Sequence, residues 1–431
     1  MLKLTNNEGI EQDLKLSRDG THLLFRLFTL SSNRNEFSET FDRLFSIDLN
    51  NGKIESFGKD FIGSITGYAV KADGGVFIMG QLGTNIQIYE QKSPSHDLIY
   101  HQGWNGTYAK LSTSNKNDLI AFVHSSFTKP KEVYLADNIH QLQSAQAITS
   151  DNELFTRRDL PKSKVYRWTN GEENRTIEGI LRYPPGQFEQ KHLPLLVLIH
   201  GGLYAASING FQADWENWGM FAASEGWLIF EPNYRGSTGY GSQFIHEVRY
   251  QFLSRPARDI LSGVDQLVKD GIVDPNRLTV GGYSYGGYLT NWLITQTTRF
   301  NAAISGAGAV EHTSEWGTID FPVFEYYVLG GAPWEVPENY QGEAAIYQLD
   351  KVRTPTHIIT GENDVRVNPA QSYMLERALY YLGIPVQLLI FPNEDHSISN
   401  NPWHGKIKVR EELKWLQKYG HQSFETIMKL I

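Results

Sequence analysis

The pentad Gly282-Tyr283-Ser284-Tyr285-Gly286 sets a serine between two glycines, directly after the apolar run Leu278-Thr279-Val280-Gly281. The residues that follow, Tyr288 to Thr297, read as a helix. A strand, a tight turn and a helix in that order are what a nucleophile elbow requires, because the serine Oγ must project from a strained turn. Side chains larger than hydrogen at the flanking positions would meet the neighbouring strand and helix, which accounts for glycine there. In a chain with 39 glycines the pentad alone is a weak signal, and its context carries the argument. The chemistry such a turn serves is nucleophilic acyl transfer.

A serine hydroxyl attacks only when a histidine takes its proton, and the histidine needs an orienting carboxylate. In α/β-hydrolases the chain order is serine, acid, histidine, each beyond the end of a strand. The strand signal Thr356-His357-Ile358-Ile359-Thr360 runs into the loop Gly361-Glu362-Asn363-Asp364, which makes Asp364 the expected acid and Glu362 its rival. The next strand, Val386 to Phe391, ends in Pro392-Asn393-Glu394-Asp395-His396. His396 is the expected base. Among 13 histidines its competitor is His404, which reads as the start of the last helix. His22, His96, His101 and His421 read as ordinary surface or core residues.

The developing oxyanion requires backbone N–H donors. His200-Gly201-Gly202 follows the apolar strand Leu195 to Ile199, like the His-Gly-Gly loop of lipases and esterases. The expected donors are the N–H groups of Gly202 and of Tyr285, the residue after the nucleophile. The bland reading of the loop is an ordinary strand-ending turn. His200 is expected to be a structural hydrogen-bonder.

Taken together, several segments resemble the prolyl oligopeptidase family of serine peptidases, in its acylaminoacyl-peptidase-like branch. They are Gly282 to Tyr288, His200-Gly201-Gly202, Asn233-Tyr234-Arg235-Gly236-Ser237-Thr238-Gly239-Tyr240-Gly241, Gly330-Gly331-Ala332-Pro333-Trp334, Asp364-x-Arg366 and Glu394-Asp395-His396. The resemblance spans about residues 160–425. It implies Ser284 as nucleophile, Asp364 as orienting acid and His396 as base. It also implies that Gly202 and Tyr285 supply the oxyanion donors and that Arg366 contacts a substrate carbonyl. A guanidinium two residues beyond the acid has the fixed fork for such a contact, although a surface salt bridge is the alternative. The loop 233–241 is expected to be structural. Leu203 stands where the acyl-peptidase pattern has proline, and Tyr250 to Pro256 replaces a Gly/Trp-rich stretch. Both departures bear on substrate preference. Dipeptidyl peptidases of the family hold a free substrate amine with paired glutamates in the cap. Glu172-Glu173 lies outside the cap, so that activity is not expected.

The 431 residues allow two or three domains, and 40% hydrophobic with 13% aromatic content is ample for a core. The formal charge is −9 and no basic stripe appears, which argues against nucleic acid as a primary partner. With no cysteine there is no disulfide framework and no thiolate metal site. No metal motif is visible, and acyl transfer by serine needs no cofactor. The stretch Met1 to Glu8 lacks an apolar signal core, and no apolar run is long enough to span a membrane. A cytoplasmic protein is the default expectation.

Residues 1–150 read as all-β, with short alternating runs broken by turn clusters. Equivalent hairpin turns recur at Asp19, Asp73 and Asn117, a loose period of about 45–55 residues, as in β-propeller blades. A simple β-sandwich is the rival reading. Such a stretch makes about three blades, whereas closed rings need at least four, and an open array leaves unpaired edges. A shortened, propeller-like cap is therefore expected, through truncation or reduction. Residues 151–165 read as a linker. Residues 166–431 read as an α/β-hydrolase domain: a hairpin (165–182), then strands near 195–199, 228–232, 278–281, 302–305, 356–360 and 386–391. The helices alternating with them fall near 213–225, 256–270, 285–297, 370–382 and 405–418. Strands that are continuously apolar indicate a mostly parallel, doubly wound sheet covered on both faces. The segment 311–350 brings Trp316, Phe321, Phe324, Tyr326, Tyr327 and Trp334, which suit a pocket for an apolar side chain, core packing or a homo-oligomer contact. The expected function is hydrolysis of short peptides, N-acylated ones included. A carboxylesterase and a non-catalytic interaction protein are the alternatives.

Overall fold

The computed structural model describes residues 4–5, 10–28, 42–114 and 116–421. Most of the stretch Met1 to Glu8 lies outside the described residues, as does Asn115 of the turn at Asn117. The chain divides into two compact units. One runs up to Arg158 and takes in Ile208–Phe211 and Thr238–Ile245. The other holds Asp159–Ser207, Gln212–Ser237 and the chain from His246 onward.

In the first unit, β1 (Ile10–Leu16), β2 (His22–Phe28), β3 (Arg43–Asp48) and β4 (Ile54–Phe57) form an antiparallel sheet in chain order. β5 (Ser64–Val70), β6 (Val76–Leu82), β7 (Asn85–Gln91) and β8 (Ile99–His101) repeat that pattern. So do β9 (Thr107–Thr113), β10 (Ile120–Ser125), β11 (Glu132–Ala136) and β12 (Gln146–Ala147). A short parallel pairing of Ile86 with Thr107 joins the second run to the third. Among the described residues these are open meanders, without a closed barrel. This is the shortened all-β domain expected from the sequence.

The recurrent turns have a common cause. Each joins the first strand of a meander to the second, and each uses a short polar side chain to bind backbone two residues on. Asp19 Oδ1 accepts from Thr21 N at 3.0 Å, Asp73 Oδ1 from Gly75 N at 3.1 Å and Asn117 Oδ1 from Leu119 N at 3.4 Å. Inward-facing residues of alternating strands supply the core, with Leu24, Leu44, Ile65 and Ile78 in one cluster and Ile88, Tyr108 and Phe122 in another, which Leu142 of a 3₁₀ turn joins.

The second unit is built on an eight-stranded sheet of β13 (Lys162–Asn170), β14 (Arg175–Tyr183), β15 (Leu193–Ile199), β16 (Leu228–Asn233), β17 (Val273–Tyr283), β18 (Ala302–Gly306), β19 (Thr356–Gly361) and β20 (Val386–Phe391). Their order across the sheet is β13-β14-β16-β15-β17-β18-β19-β20. The first two pairings are antiparallel and the rest parallel. All residues of β15, β16, β18 and β19 are buried, as strands covered on both faces must be. On one face, the helices Gly219–Ser224 and Pro402–Tyr419 pack Trp218, Ala222, Leu413 and Leu416 against Leu196, Ile229 and Ile304. Phe230, next along β16, points to the opposite face. There the helix Ser254–Lys269 lays Gly263 against it so closely that an added Cβ would come within 2.7 Å of the ring. This is the doubly wound α/β-hydrolase sheet expected from the sequence.

Two elements differ from expectation. The helix expected over 213–225 is confined to Gly219–Ser224, because Asp214 Oδ1 accepts from Glu216 N (3.0 Å) and Asn217 N (2.7 Å) and holds the preceding residues as a turn. The segment 311–350 forms three short helices, His312–Thr318, Val323–Leu329 and Pro337–Gly342, before a 3₁₀ turn. Its aromatics divide between core and surface: Tyr327 is 2% exposed, while Trp334, 71% exposed, packs edge-on against Trp316 at 5.2 Å.

Candidate active site

β17 delivers Ser284 to the turn with φ 56° and ψ −124°, and the helix Tyr285–Gln296 starts at the next residue. A non-glycine residue with positive φ is held at a cost. The glycines of the pentad are required by space. A Cβ on Gly282 would lie 2.5 Å from the Ile199 carbonyl oxygen, and one on Gly286 would lie 2.3 Å from the same atom. Ser284 N donates to Gly306 O at 2.8 Å, which ties the turn to β18.

The loops after β19 and β20 bring the two other expected residues to this serine. His396 Nε2 lies 2.9 Å from Ser284 Oγ, and His396 Nδ1 lies 2.7 Å from Asp364 Oδ2. Asp364 is buried, and its other oxygen accepts from Arg366 N (2.9 Å) and Val367 N (2.8 Å). The rivals are engaged elsewhere. Glu362 accepts from Asn393 N at 2.9 Å, and His404 Nδ1 lies 2.6 Å from Glu394 Oε1.

The loop after β15 runs beside the serine. A Cβ on Gly201 would lie 2.8 Å from Tyr283 O and 3.4 Å from Ser284 Cβ. Gly202 follows with φ +56°, a conformation that favours glycine. His200 is partly buried and held by several partners. Its Nε2 bonds Ser237 Oγ at 3.0 Å, its ring stacks on Tyr234 at 4.4 Å, and the Tyr234 hydroxyl donates to His200 O at 2.8 Å. Burial pushes this imidazole down to about 4, so it stays neutral at pH 7 and braces the loop.

The order of these loops, their motifs and their convergence on one serine agree with what the chain is similar to. Residues 215–422 match the model of the prolyl oligopeptidase family. The chain is 24% identical over 419 residues to dipeptidyl-peptidase 5 of Porphyromonas gingivalis, covering 95% of the chain and 59% of that protein. It is 33% identical over 235 residues to the acylamino-acid-releasing enzyme of Arabidopsis thaliana, covering 52% of the chain and 30% of the relative. Its fold is similar to that of the acylaminoacyl peptidase of Pyrococcus horikoshii, with a TM-score of 0.80 at 22% identity, over 93% of this chain and 62% of that one. The chain thus spans less than two thirds of the length of these relatives.

Within the matched residues, two arginines of the sequence motifs take different places. Arg235 of the loop after β16 is structural. It is 1% exposed and places Nε 2.9 Å and Nη2 2.8 Å from the buried Asp259 carboxylate, while Nη1 pairs with Glu173. Arg235, with Arg258 at 3.1 Å, also pulls the Glu173 carboxyl down to about 2. Arg366 faces solvent, and its guanidinium forks onto Asp320, with Nη2 3.2 Å from Oδ2. The surface pair weighed from the sequence is therefore formed here.

Three acidic residues near the site were given no role from the sequence, although Glu394 stood in one of the motifs. Glu315 is fully buried and accepts from the hydroxyl of Tyr288, four residues beyond the nucleophile, at 2.9 Å. Burial first and Glu325 second push its carboxyl up to about 9. Glu394, also fully buried, accepts from Asn400 N (2.9 Å) and Asn401 N (2.8 Å) and so ties down the loop that carries His396. Glu216 stands beside Gly201. The only available signal was indirect: Glu394 lies two positions before His396, and Glu216 follows the His-Gly-Gly loop. No helix among the described residues is long and apolar enough to cross a membrane.

Proposed function

We propose that the protein is a serine peptidase that hydrolyses short peptides, N-acylated ones included, through an acyl-enzyme. The observation that carries this reading is the unbroken chain of hydrogen-bonded atoms from Asp364 through both nitrogens of His396 to Ser284, at 2.7 and 2.9 Å. Ser284 Oγ attacks the scissile carbonyl carbon as His396 Nε2 takes its proton, and Asp364 holds the imidazole with Nδ1 protonated and steadies the imidazolium. The carbonyl π electrons move to oxygen, and that oxyanion is received by the N–H groups of Gly202 and Tyr285. Collapse breaks the C–N bond, and His396 returns its proton to the departing amine. Water then repeats the sequence on the acyl-enzyme, releasing the acid and Ser284.

Arg366 is proposed to donate to a carbonyl oxygen of the acyl part of the substrate, exchanging some of its contact with Asp320. Glu173 is committed to Arg235 and Arg258, which supports the expectation that the Glu172-Glu173 pair does not hold a free substrate amine.

The test is a panel of acetyl-amino-acid, free-amino-acid and dipeptidyl anilides with a short-chain nitrophenyl ester, run beside Ser284→Ala. Cleavage of acetylated over free anilides, lost in Ser284→Ala, is the expected result. Cleavage of the ester alone would replace the peptidase reading with a carboxylesterase. Failure of folded protein to react with a fluorophosphonate probe would leave a non-catalytic interaction protein.

A further inference from the structure

Glu216 is an exposed carboxylate set beside the reacting groups. Its Oε1 and Ser284 Cβ lie 3.1 and 3.4 Å from the point where a Cβ on Gly201 would stand. The turn that carries it is rigidly placed. Asp214 Oδ1 binds Glu216 N, the Trp215 ring sits 4.9 Å from that of Tyr283, and Gly405 is glycine where a Cβ would come within 2.9 Å of Trp215.

Among the described residues no hydrogen bond or ion pair engages the Glu216 side chain. The cation on this flank, Lys408, is buried and committed to Glu412 at 2.7 Å and to Trp215 O at 3.1 Å. Partial loss of hydration first and Asp214 second hold the Glu216 carboxyl above its usual value, while Lys408 and His396 pull it down. Asp214 and Asp395 add negative charge around Tyr283 and the turn.

The position of Glu216 across the sheet decides what it would meet. β17 lies between β15 and β18. The loops after β18 and β19, with Arg366, stand on one side of Ser284, and the loop after β15, with Gly201 and Glu216, stands on the other. If Arg366 engages the acyl part, the leaving part extends toward Glu216. We infer that Glu216 determines specificity for a cationic side chain, lysine or arginine, on the residue that leaves with the amine. This inference rests on the peptidase reading above.

The test compares kcat/KM for N-acetyl-phenylalanyl-lysine amide and N-acetyl-phenylalanyl-norleucine amide, which differ in the leaving residue alone. The full chain is expected to prefer the lysine peptide about fivefold at low salt, as a partly exposed ion pair allows. Added salt should shrink the preference. Glu216→Gln should bring the ratio close to one, and Glu216→Lys should reverse it. Because each ratio is taken within one protein, partial misfolding of a variant does not affect it. Equal rates for the two peptides in the unaltered chain, or a preference that survives in Glu216→Gln, would overturn the inference and leave the peptidase reading standing. Failure to cleave either peptide, with Ser284-dependent ester hydrolysis intact, would overturn both.

Discussion

His396 Nε2 stands 2.9 Å from Ser284 Oγ although 112 positions separate the two residues. The loop that achieves this is pinned two residues earlier by Glu394, whose buried carboxylate gathers two backbone N–H groups and the ring of His404. Glu394 is thus a positioning residue. Glu394→Ala is expected to lower kcat by about 10²-fold, since small misplacements of a base cost that much, with KM for a short ester little changed. Steady-state kinetics on the ester check this. A KM-only effect would mean that the loop is held without Glu394.

The contact between Asp364 and His396 makes a sharper demand. Asp364→Asn keeps an oxygen for the N–H groups of Arg366 and Val367, but it turns an amide toward His396 Nδ1 and favours the wrong tautomer. The expected loss is about 10⁴-fold in kcat. A stopped-time assay on the anilide, with folding checked by circular dichroism, measures it. A loss below about tenfold would remove Asp364 from the proposed role.

The elbow predicts an effect on stability as well as on rate. At Gly286 an added methyl meets the carbonyl oxygen of Ile199 at 2.3 Å, backbone against backbone, with no flexible side chain to move. Gly286→Ala is expected to cost about 1–3 kcal/mol, as overpacking does. Gly171→Ala, where nothing lies within 4 Å, is the matched control. Thermal unfolding of the two variants checks the difference.

What could be read in the sequence followed from local rules. The elbow, the apolar strands of the sheet and the turns at Asp19, Asp73 and Asn117 each announce themselves within a few residues. So do the loops that end in Asp364 and His396, because strand, turn and chain order constrain them together. The extent of the helix beginning at Gly219 was not legible, because the Asp214 turn that delays it competes with helix through side-chain bonds that composition does not rank. Neither was the tie between Tyr288 and Glu315, nor the approach of Glu216 to Gly201. Those depend on packing between separate elements, and buried carboxylates carry no periodic signal. Arg366 lies between these cases: its place beside Asp364 was readable, and its partner Asp320, 46 positions away, was not.

If Arg366 receives a substrate carbonyl, Asp320 competes for the same guanidinium. Arg366→Ala is expected to reduce kcat/KM for an acetyl-peptide anilide about tenfold more than for a short ester, which has no second carbonyl to offer. Asp320→Ala is expected to lower KM for the anilide by a few fold by freeing the fork. Measuring both substrates on both variants separates this from a surface pair, for which the two substrates would respond alike.

Glu315 gives a prediction with a defined sign. Its carboxyl is held at about 9, from an ordinary 4.5, by burial and then by Glu325. Below about pH 4.5 the folded and unfolded chains both carry the proton. Between there and about pH 9 the unfolded chain releases it and the folded chain keeps it, so the unfolded state binds fewer protons and stability falls as pH rises. Glu315→Gln retains an oxygen for the Tyr288 hydroxyl and removes that loss. The variant should match the parent near pH 4.5 and exceed it at pH 8, by on the order of 2–4 kcal/mol. In thermal unfolding this is a rise of about 5 °C or more at pH 8. A variant that is equally or less stable at both pH values would mean that Glu315 is ionised in the folded protein.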